Sequence, residues 1–376
     1  MPALPSVPTY SLTYGNCEPE SLYRLVSEFV GPLGPTKPAE SRQLRYLVHY
    51  VKDYLRCAGF VCETHYIDKD YMDDFAGFYA KSLRQYPNYC WRVHFFTETI
   101  NEERLLAVLR ETKALPEADN APLSKQLRNS YRGYVVLRPH PKAFVGKSVL
   151  SPPPQDASRL FKCCRRYETH LAGITLGLDA IAFQQQDRTH SACATAAIWA
   201  ALQKSAFDDD LRVPSPREIT EAGTRYYLSG RPVPNQGLTI QQTCEAIRSS
   251  GLAPDMFLVE DHPDLCRDLL QSYLCSGIPV VTTLFKEPNG RGDGHSVALV
   301  GYDDGNVQQV FNKGGVPPSD VLMTSAGLVP KGLCITKFYA HDDRIGPYAR
   351  VTFEEDAKSK LKLRYDWNNP PDEELW

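Results

Sequence analysis

One stretch limits what this chain can fold into more than any other. From Gln184 to Ser191 the sequence is polar and opens with three glutamines (Gln184, Gln185, Gln186); it then runs through Ala192 and Cys193 into an alanine-rich segment ending near Leu202. Alanine is the strongest helix former, so a helix is predicted from about Ala192 to Lys204 with a polar loop directly ahead of it. Cys193 then stands in the first helical turn. There the unpaired backbone N–H groups and the positive end of the helix dipole favour negative charge. The thiolate is the nucleophilic form of cysteine. A nucleophile also needs a base, and the base needs something to orient it.

Two later stretches offer both. Gly292-Asp293-Gly294-His295 opens an apolar, β-prone run that closes on Gly301 and Tyr302, so His295 is expected at a strand's beginning, within reach of a neighbouring helix terminus. Ile335 to Ala340 predicts another strand, ending in His341-Asp342-Asp343 and turning through Gly346-Pro347. A carboxylate at that end could accept the second imidazole N–H and fix the tautomer, the part played by the third member of a triad.

Around these landmarks the chain divides in two. Helical periodicity is expected over residues 18–30, 39–57, 68–85 and 101–111, the last capped by Thr99. Strands are expected at Phe60 to Ile67 and Cys90 to Phe96, and together these elements read as an N-terminal α/β module over residues 1–130. Residues 114–130, with Pro116 and Pro122, read as a linker or exposed loop. After it come a hairpin (Gly133 to Pro139 and Ala143 to Leu150) and two short strands between Tyr167 and Phe183. Beyond the Cys193 helix, Ser215-Pro216 and Thr239 open two helices as caps, and Pro263 to Ser276 forms a third that Gly277 ends. A strand over Ile278 to Leu284 follows. The second domain is placed at residues 131–356, and residues 357–376 read as a polar tail.

Bulk properties narrow the function classes. The 42 Lys and Arg residues nearly balance 45 Asp and Glu, so neither nucleic acid nor an anionic membrane is expected as a partner. Eleven scattered cysteines with no C-x-x-C pair argue against a zinc site or a thioredoxin-like motif. No cofactor and no metal is expected. With no basic-then-apolar leader at Met1 and no long apolar run, a cytoplasmic protein with reduced thiols is the expectation.

The order of elements carries a resemblance. A cysteine opening a helix, a Gly277-Ile278-Pro279-Val280-Val281 strand, a Gly294-His295 strand ending in Gly301-Tyr302, and a strand ending in Asp342 resemble the papain-like cysteine peptidases. Within that superfamily the nearer likeness is to bacterial peptidases related to the bacteriocin-processing, double-glycine enzymes. It covers roughly residues 165–355. The resemblance implies an α+β, papain-like fold with a helical lobe and an antiparallel β lobe, in an intracellular bacterial protein. It also implies Cys193 as nucleophile, His295 as base and then acid, and Asp342 as the orienting group, with Asp343 and Asn312 as alternative acids. In this superfamily a glutamine upstream of the cysteine donates to the oxyanion. The usual place, six residues upstream, holds Asp187, so Gln186 is taken first and Gln185 second.

The function expected from this is hydrolysis of a peptide or isopeptide bond in a protein or peptide substrate, through a thioester. The N-terminal module would bind the substrate or a partner protein. The same triad also serves transglutaminase-like acyl transferases and amidases, and the fold without the chemistry would serve a papain-like interaction protein. Cysteine is also among the most buried residue types, so Cys244, Cys266, Cys275 and Cys334, on apolar faces, are read as core.

Overall fold

The computed structural model describes residues 10–33, 37–114, 121–154, 158–187, 193–226, 237–259, 262–285, 294–304, 321–324, 327–330, 332, 335, 337–355 and 361–365. The molecule is mixed α+β with antiparallel sheets. It forms two compact units, residues 1–151 with 166–185 and residues 152–165 with 186–376.

The first unit is built on a five-stranded sheet. Its strands β1 (Leu12–Asn16), β2 (Gly59–Tyr66), β3 (Cys90–Phe96), β4 (Tyr131–Leu137) and β5 (Val145–Leu150) lie side by side in chain order, every pair antiparallel. Helices α1 (Pro19–Val30) and α2 (Arg42–His49) precede β2; α3 (Lys69–Gly77) joins β2 to β3, and α4 (Glu102–Ala114) and α5 (Pro122–Ser130) join β3 to β4. The α1 face Leu22, Leu25, Val26 and Phe29 and the α2 face Leu44, Leu47 and Val48 are buried at the 3–4 spacing that a helix needs to present one apolar stripe.

Several expectations are corrected here. The N-terminal part is α+β rather than α/β, because each connection, including those that carry helices, returns the next strand antiparallel beside its predecessor. The boundary expected at residue 130 falls inside this sheet, which β4 and β5 complete. Part of the expected loop at 114–130 is α5: Pro122 occupies the first turn, where its missing N–H is not needed, and the Leu123 and Ser124 N–H groups donate to Glu111 at 2.9 and 3.2 Å. The helix expected over 39–57 is α2 followed by a π-helical turn, Tyr50–Tyr54, and the one expected over 68–85 stops at Gly77. Asn101 rather than Thr99 caps α4, its Oδ1 accepting from the Arg104 N–H at 2.8 Å.

After β6 (Arg159–Leu160), which belongs to the second unit, the hairpin β7 (Arg165–Leu171) and β8 (Ile174–Ala180) returns to the first. Arg92 ties it down, donating to Thr169 Oγ1 at 3.0 Å and to the His170 carbonyl at 2.8 Å. The same guanidinium pairs with buried Glu63, which His94 Nε2 also contacts at 2.9 Å. A buried carboxylate persists in its charged form only when so partnered.

The second unit carries α6 (Cys193–Asp208), α7 (Pro216–Gly223), α8 (Ile240–Ser249) and α9 (Pro263–Cys275). The expected caps hold: Ser215 with Glu218 and Thr239 with Gln242 form reciprocal capping boxes. Its strands are β9 (Val280–Phe285), β10 (Gly294–Asp303), the hairpin β11 (Val321–Thr324) and β12 (Gly327–Pro330), then β13 (Lys337–Asp342), β14 (Gly346–Glu355) and β15 (Leu361–Tyr365). The main sheet runs β15-β14-β13-β10-β6, with β9 sharing the β6 edge of β10. At the bulge on β10, Gly301 admits the β6 chain: a Cβ there would stand 2.5 Å from the Phe161 ring and 2.8 Å from the Leu160 carbonyl. The expected polar tail therefore contains a strand of this sheet, β15. Among the described residues, no helix is long and apolar enough to cross a membrane.

Helix α6 packs on β9, β10 and β13 and is buried around most of its circumference, Ile198 and Trp199 completely. Its alanines permit that close approach, and Trp199 is the largest of the fully buried side chains. Trp199→Ala is expected to destabilise the second unit by about 3–5 kcal/mol, read as an earlier urea transition. A cost below about 1 kcal/mol would mean that the indole is not part of the packed core.

Candidate active site

The second unit brings Cys193, His295 and Asp342 to one end of its sheet. Cys193 is the first residue of α6 and is half-buried. Its sulfur accepts from the Ser296 backbone N–H at 3.4 Å and lies 3.9 Å from the Gly294 carbonyl, so the two backbone groups bracketing His295 both meet it. The helix terminus and the Ser296 amide both direct positive partial charge at the sulfur.

The ladder explains the His–Asp meeting. Ala298 on β10 faces His341 on β13, and His295 and Asp342 each stand an odd number of residues from that pair toward the same sheet end. Side chains alternate faces along a strand, so both point to one side. His295 Nε2 and Asp342 Oδ1 are 2.9 Å apart, and both residues are buried. Asp342 takes two further donors: the Arg344 N–H reaches Oδ1 at 2.8 Å, and the Tyr365 hydroxyl donates to Oδ2.

Charge follows from this geometry. Burial pulls the His295 imidazole toward its neutral form, but the Asp342 charge and hydrogen bond, the nearby Cys193 sulfur and the Asp343 charge outweigh it and raise the group from 6.5 to about 10. Burial likewise pushes the Asp342 carboxyl up. The His295 charge and hydrogen bond, then Tyr365 and the Arg344 amide, overcome it and hold the carboxyl below its ordinary value. The pair is therefore imidazolium and carboxylate at neutral pH.

His295, Asp342 and Asp343 also offer three ligand atoms within 4.8 Å of one another, close enough for a metal ion. The donor set argues against that use. Both Asp342 oxygens already accept hydrogen bonds, and His295 Nε2 is committed to one of them. A cation would have to displace these donors and would face an imidazolium.

Comparison with protein-family models, curated proteins and solved structures returns no match. The site is thus read from its own chemistry.

The other expected residues divide clearly. Asp343 is buried beside the pair and acts on His295 through its charge, while Asp342 makes the hydrogen bond. Asn312, the third candidate acid, lies outside the described residues. Gln185 is corrected as an oxyanion donor: its side chain belongs to the first unit, where Oε1 accepts from the Val145 N–H and Nε2 donates to the Lys142 carbonyl, each at 3.3 Å. Gln186, one residue on, begins the second unit's long segment and is half-buried. Of the cysteines read as core, Cys266 is buried, Cys244 is partly exposed, Cys275 is exposed at the end of α9, and Cys334 lies outside the described residues.

Sequence reasoning missed Tyr365 and the Ser296 amide. Leu361, Leu363 and Tyr365 alternate with Lys362 and Arg364, the period of a strand. In a segment otherwise polar, five residues of alternation are a weak signal.

The His295–Asp342 pair makes stability depend on pH. A group raised from 6.5 to about 10 contributes fully below about 6.5 and loses that contribution as pH rises through about 10. A lowered carboxyl contributes above its ordinary 3.8 and loses that contribution as pH falls below it. The contribution is therefore largest between about pH 4 and 6.5. Asp342→Asn is expected to cost about 3–5 kcal/mol there, with the gap to wild type narrowing as pH rises through about 10. Urea midpoints measured across pH would expose the opposite case, a gap that is the same at every pH.

Proposed function

We propose that the second unit is a papain-like cysteine peptidase domain, with α6 to α9 as its helical lobe and the antiparallel sheet as its β lobe, hydrolysing a peptide or isopeptide bond. One observation carries the reading. His295 Nε2 is hydrogen-bonded to buried Asp342, and the backbone groups on either side of His295 meet the sulfur of Cys193, which opens a helix. That is the nucleophile–base–orienter chain a covalent mechanism needs. With Nε2 on Asp342, Nδ1 is the ring nitrogen left to exchange a proton with the sulfur.

The steps follow from these positions. The Cys193 thiolate attacks the carbonyl carbon, and the carbonyl π electrons move to oxygen. The Cys193 backbone N–H and Gln186 are the proposed donors to that oxyanion. As the tetrahedral species collapses, the C–N bond breaks and the leaving amine takes the proton from His295 Nδ1. Neutral His295 then removes a proton from water as the water attacks the thioester. The carboxylic acid departs, leaving thiolate and imidazolium again. An amine in place of water would give acyl transfer.

The first unit, which holds none of the triad, is proposed to select the substrate or bind a partner protein. The ten described cysteines are all free thiols, which supports a reducing compartment.

The test is digestion of a diverse peptide mixture by the full chain, with products read by mass spectrometry. Cleaved peptides carrying new carboxyl termini are expected from wild type, and Cys193→Ala and His295→Gln should each lower the rate on the order of 10⁴-fold or more. Amine-ligated products would redirect the reading to acyl transfer. Equal product from wild type and Cys193→Ala would refute it.

A further inference from the structure

We infer that Tyr365 is a positioning residue of this active site and that β15, the strand carrying it, completes the catalytic machinery. The inference rests on the peptidase reading and adds a residue to it.

A buried carboxylate beside a histidine has four lone-pair directions to satisfy. On Asp342, Oδ1 serves His295 and the Arg344 amide, and Oδ2 accepts from the Tyr365 hydroxyl. The Arg344 N–H comes from the same turn as Asp342 and moves with it. Tyr365 comes from 23 residues away and fixes the carboxylate from outside. With Oδ2 held, the carboxyl cannot rotate about its own axis without breaking that bond, so Oδ1 stays aimed at Nε2. The phenol also lowers the carboxyl's affinity for a proton, because its hydrogen bond is made to the charged form.

The sequence around Tyr365 suits this role. Five ladder pairs, from Glu355 with Leu361 to Val351 with Tyr365, seat β15 on β14. Tyr365 is buried while Arg364 before it is exposed, so the strand turns its tyrosine inward. A buried phenol needs a polar partner, and here that partner is the triad's acid. Tyr365 meets the site through Asp342, whose other oxygen holds His295. Its effect on catalysis is therefore indirect, on the protonation and aim of the imidazole.

The experiment is the pH profile of Cys193 alkylation by iodoacetamide in the full chain, resolved by mass spectrometry, for wild type, Tyr365→Phe, Asp342→Asn and the double variant. Wild-type Cys193 is expected to react faster at neutral pH than the other ten cysteines, an advantage that His295→Gln abolishes. Tyr365→Phe removes only the hydroxyl. It is expected to lower the neutral-pH rate about tenfold and to shift the alkaline limb set by His295 by about one pH unit, the scale of one charge-assisted hydrogen bond. In the Asp342→Asn background the same substitution is expected to change neither. A Tyr365→Phe profile that superimposes on wild type, or an effect that persists in full without the Asp342 charge, overturns the inference while leaving the peptidase reading intact. A wild-type Cys193 that reacts no faster than the other cysteines overturns both. A lowered unfolding midpoint with an unmoved profile would assign Tyr365 to packing alone and count against the proposal.

Discussion

The contact between His295 and Asp342 is the constraint on which the second unit depends. Each residue is buried, and an isolated ionised group in such a place would cost several kcal/mol. The carboxylate is tolerated because three donors surround it, and the imidazole because the carboxylate faces it. Satisfying that arrangement requires β10, β13 and β15 in one register, with the turn after β13 folded back on its own aspartate. The sheet is thus held to a single alignment by polar demand as well as by its apolar face. A slip of one residue would turn either partner to the opposite side.

Helix α6 meets that sheet with small residues and one large one. Alanines let its backbone approach β10, and the first residue of the helix is thereby carried to the strand end where His295 begins. The Ser296 N–H on the sulfur marks how close the two elements come. The placement of Cys193 and the packing of α6 share one cause here. The alanine-rich run is what seats the cysteine against the histidine strand, with Trp199 fully buried in the middle of the run.

Much of this was legible in the sequence where a residue's role is local. Caps at Ser215 and Thr239, the start of α6 at Cys193, and the β10 and β13 strands follow from periodicity and side-chain chemistry within a few residues. What escaped depends on partners distant in sequence or on context that reverses a local signal. Pro122 reads as a breaker and is a helix opener, because proline is tolerated in the first turn. The helices before β3 and β4 read as an α/β pattern, yet their strands return antiparallel. Gln185 and Gln186 are neighbours in a polar run, but one packs into the first unit and the other begins the second unit's long segment. Tyr365 lies in a stretch whose composition reads as solvated tail, and only the ladder with β14 reveals it as part of the site.

The most direct test of the central claim is the protonation state of His295 itself. Ring-nitrogen NMR on histidine-labelled protein at about pH 7 should show both of its nitrogens protonated, the Nε2 proton strongly shifted by Asp342, and the titration midpoint lowered in Cys193→Ala. A neutral His295 ring at that pH, titrating identically with and without the Cys193 sulfur, would contradict the account.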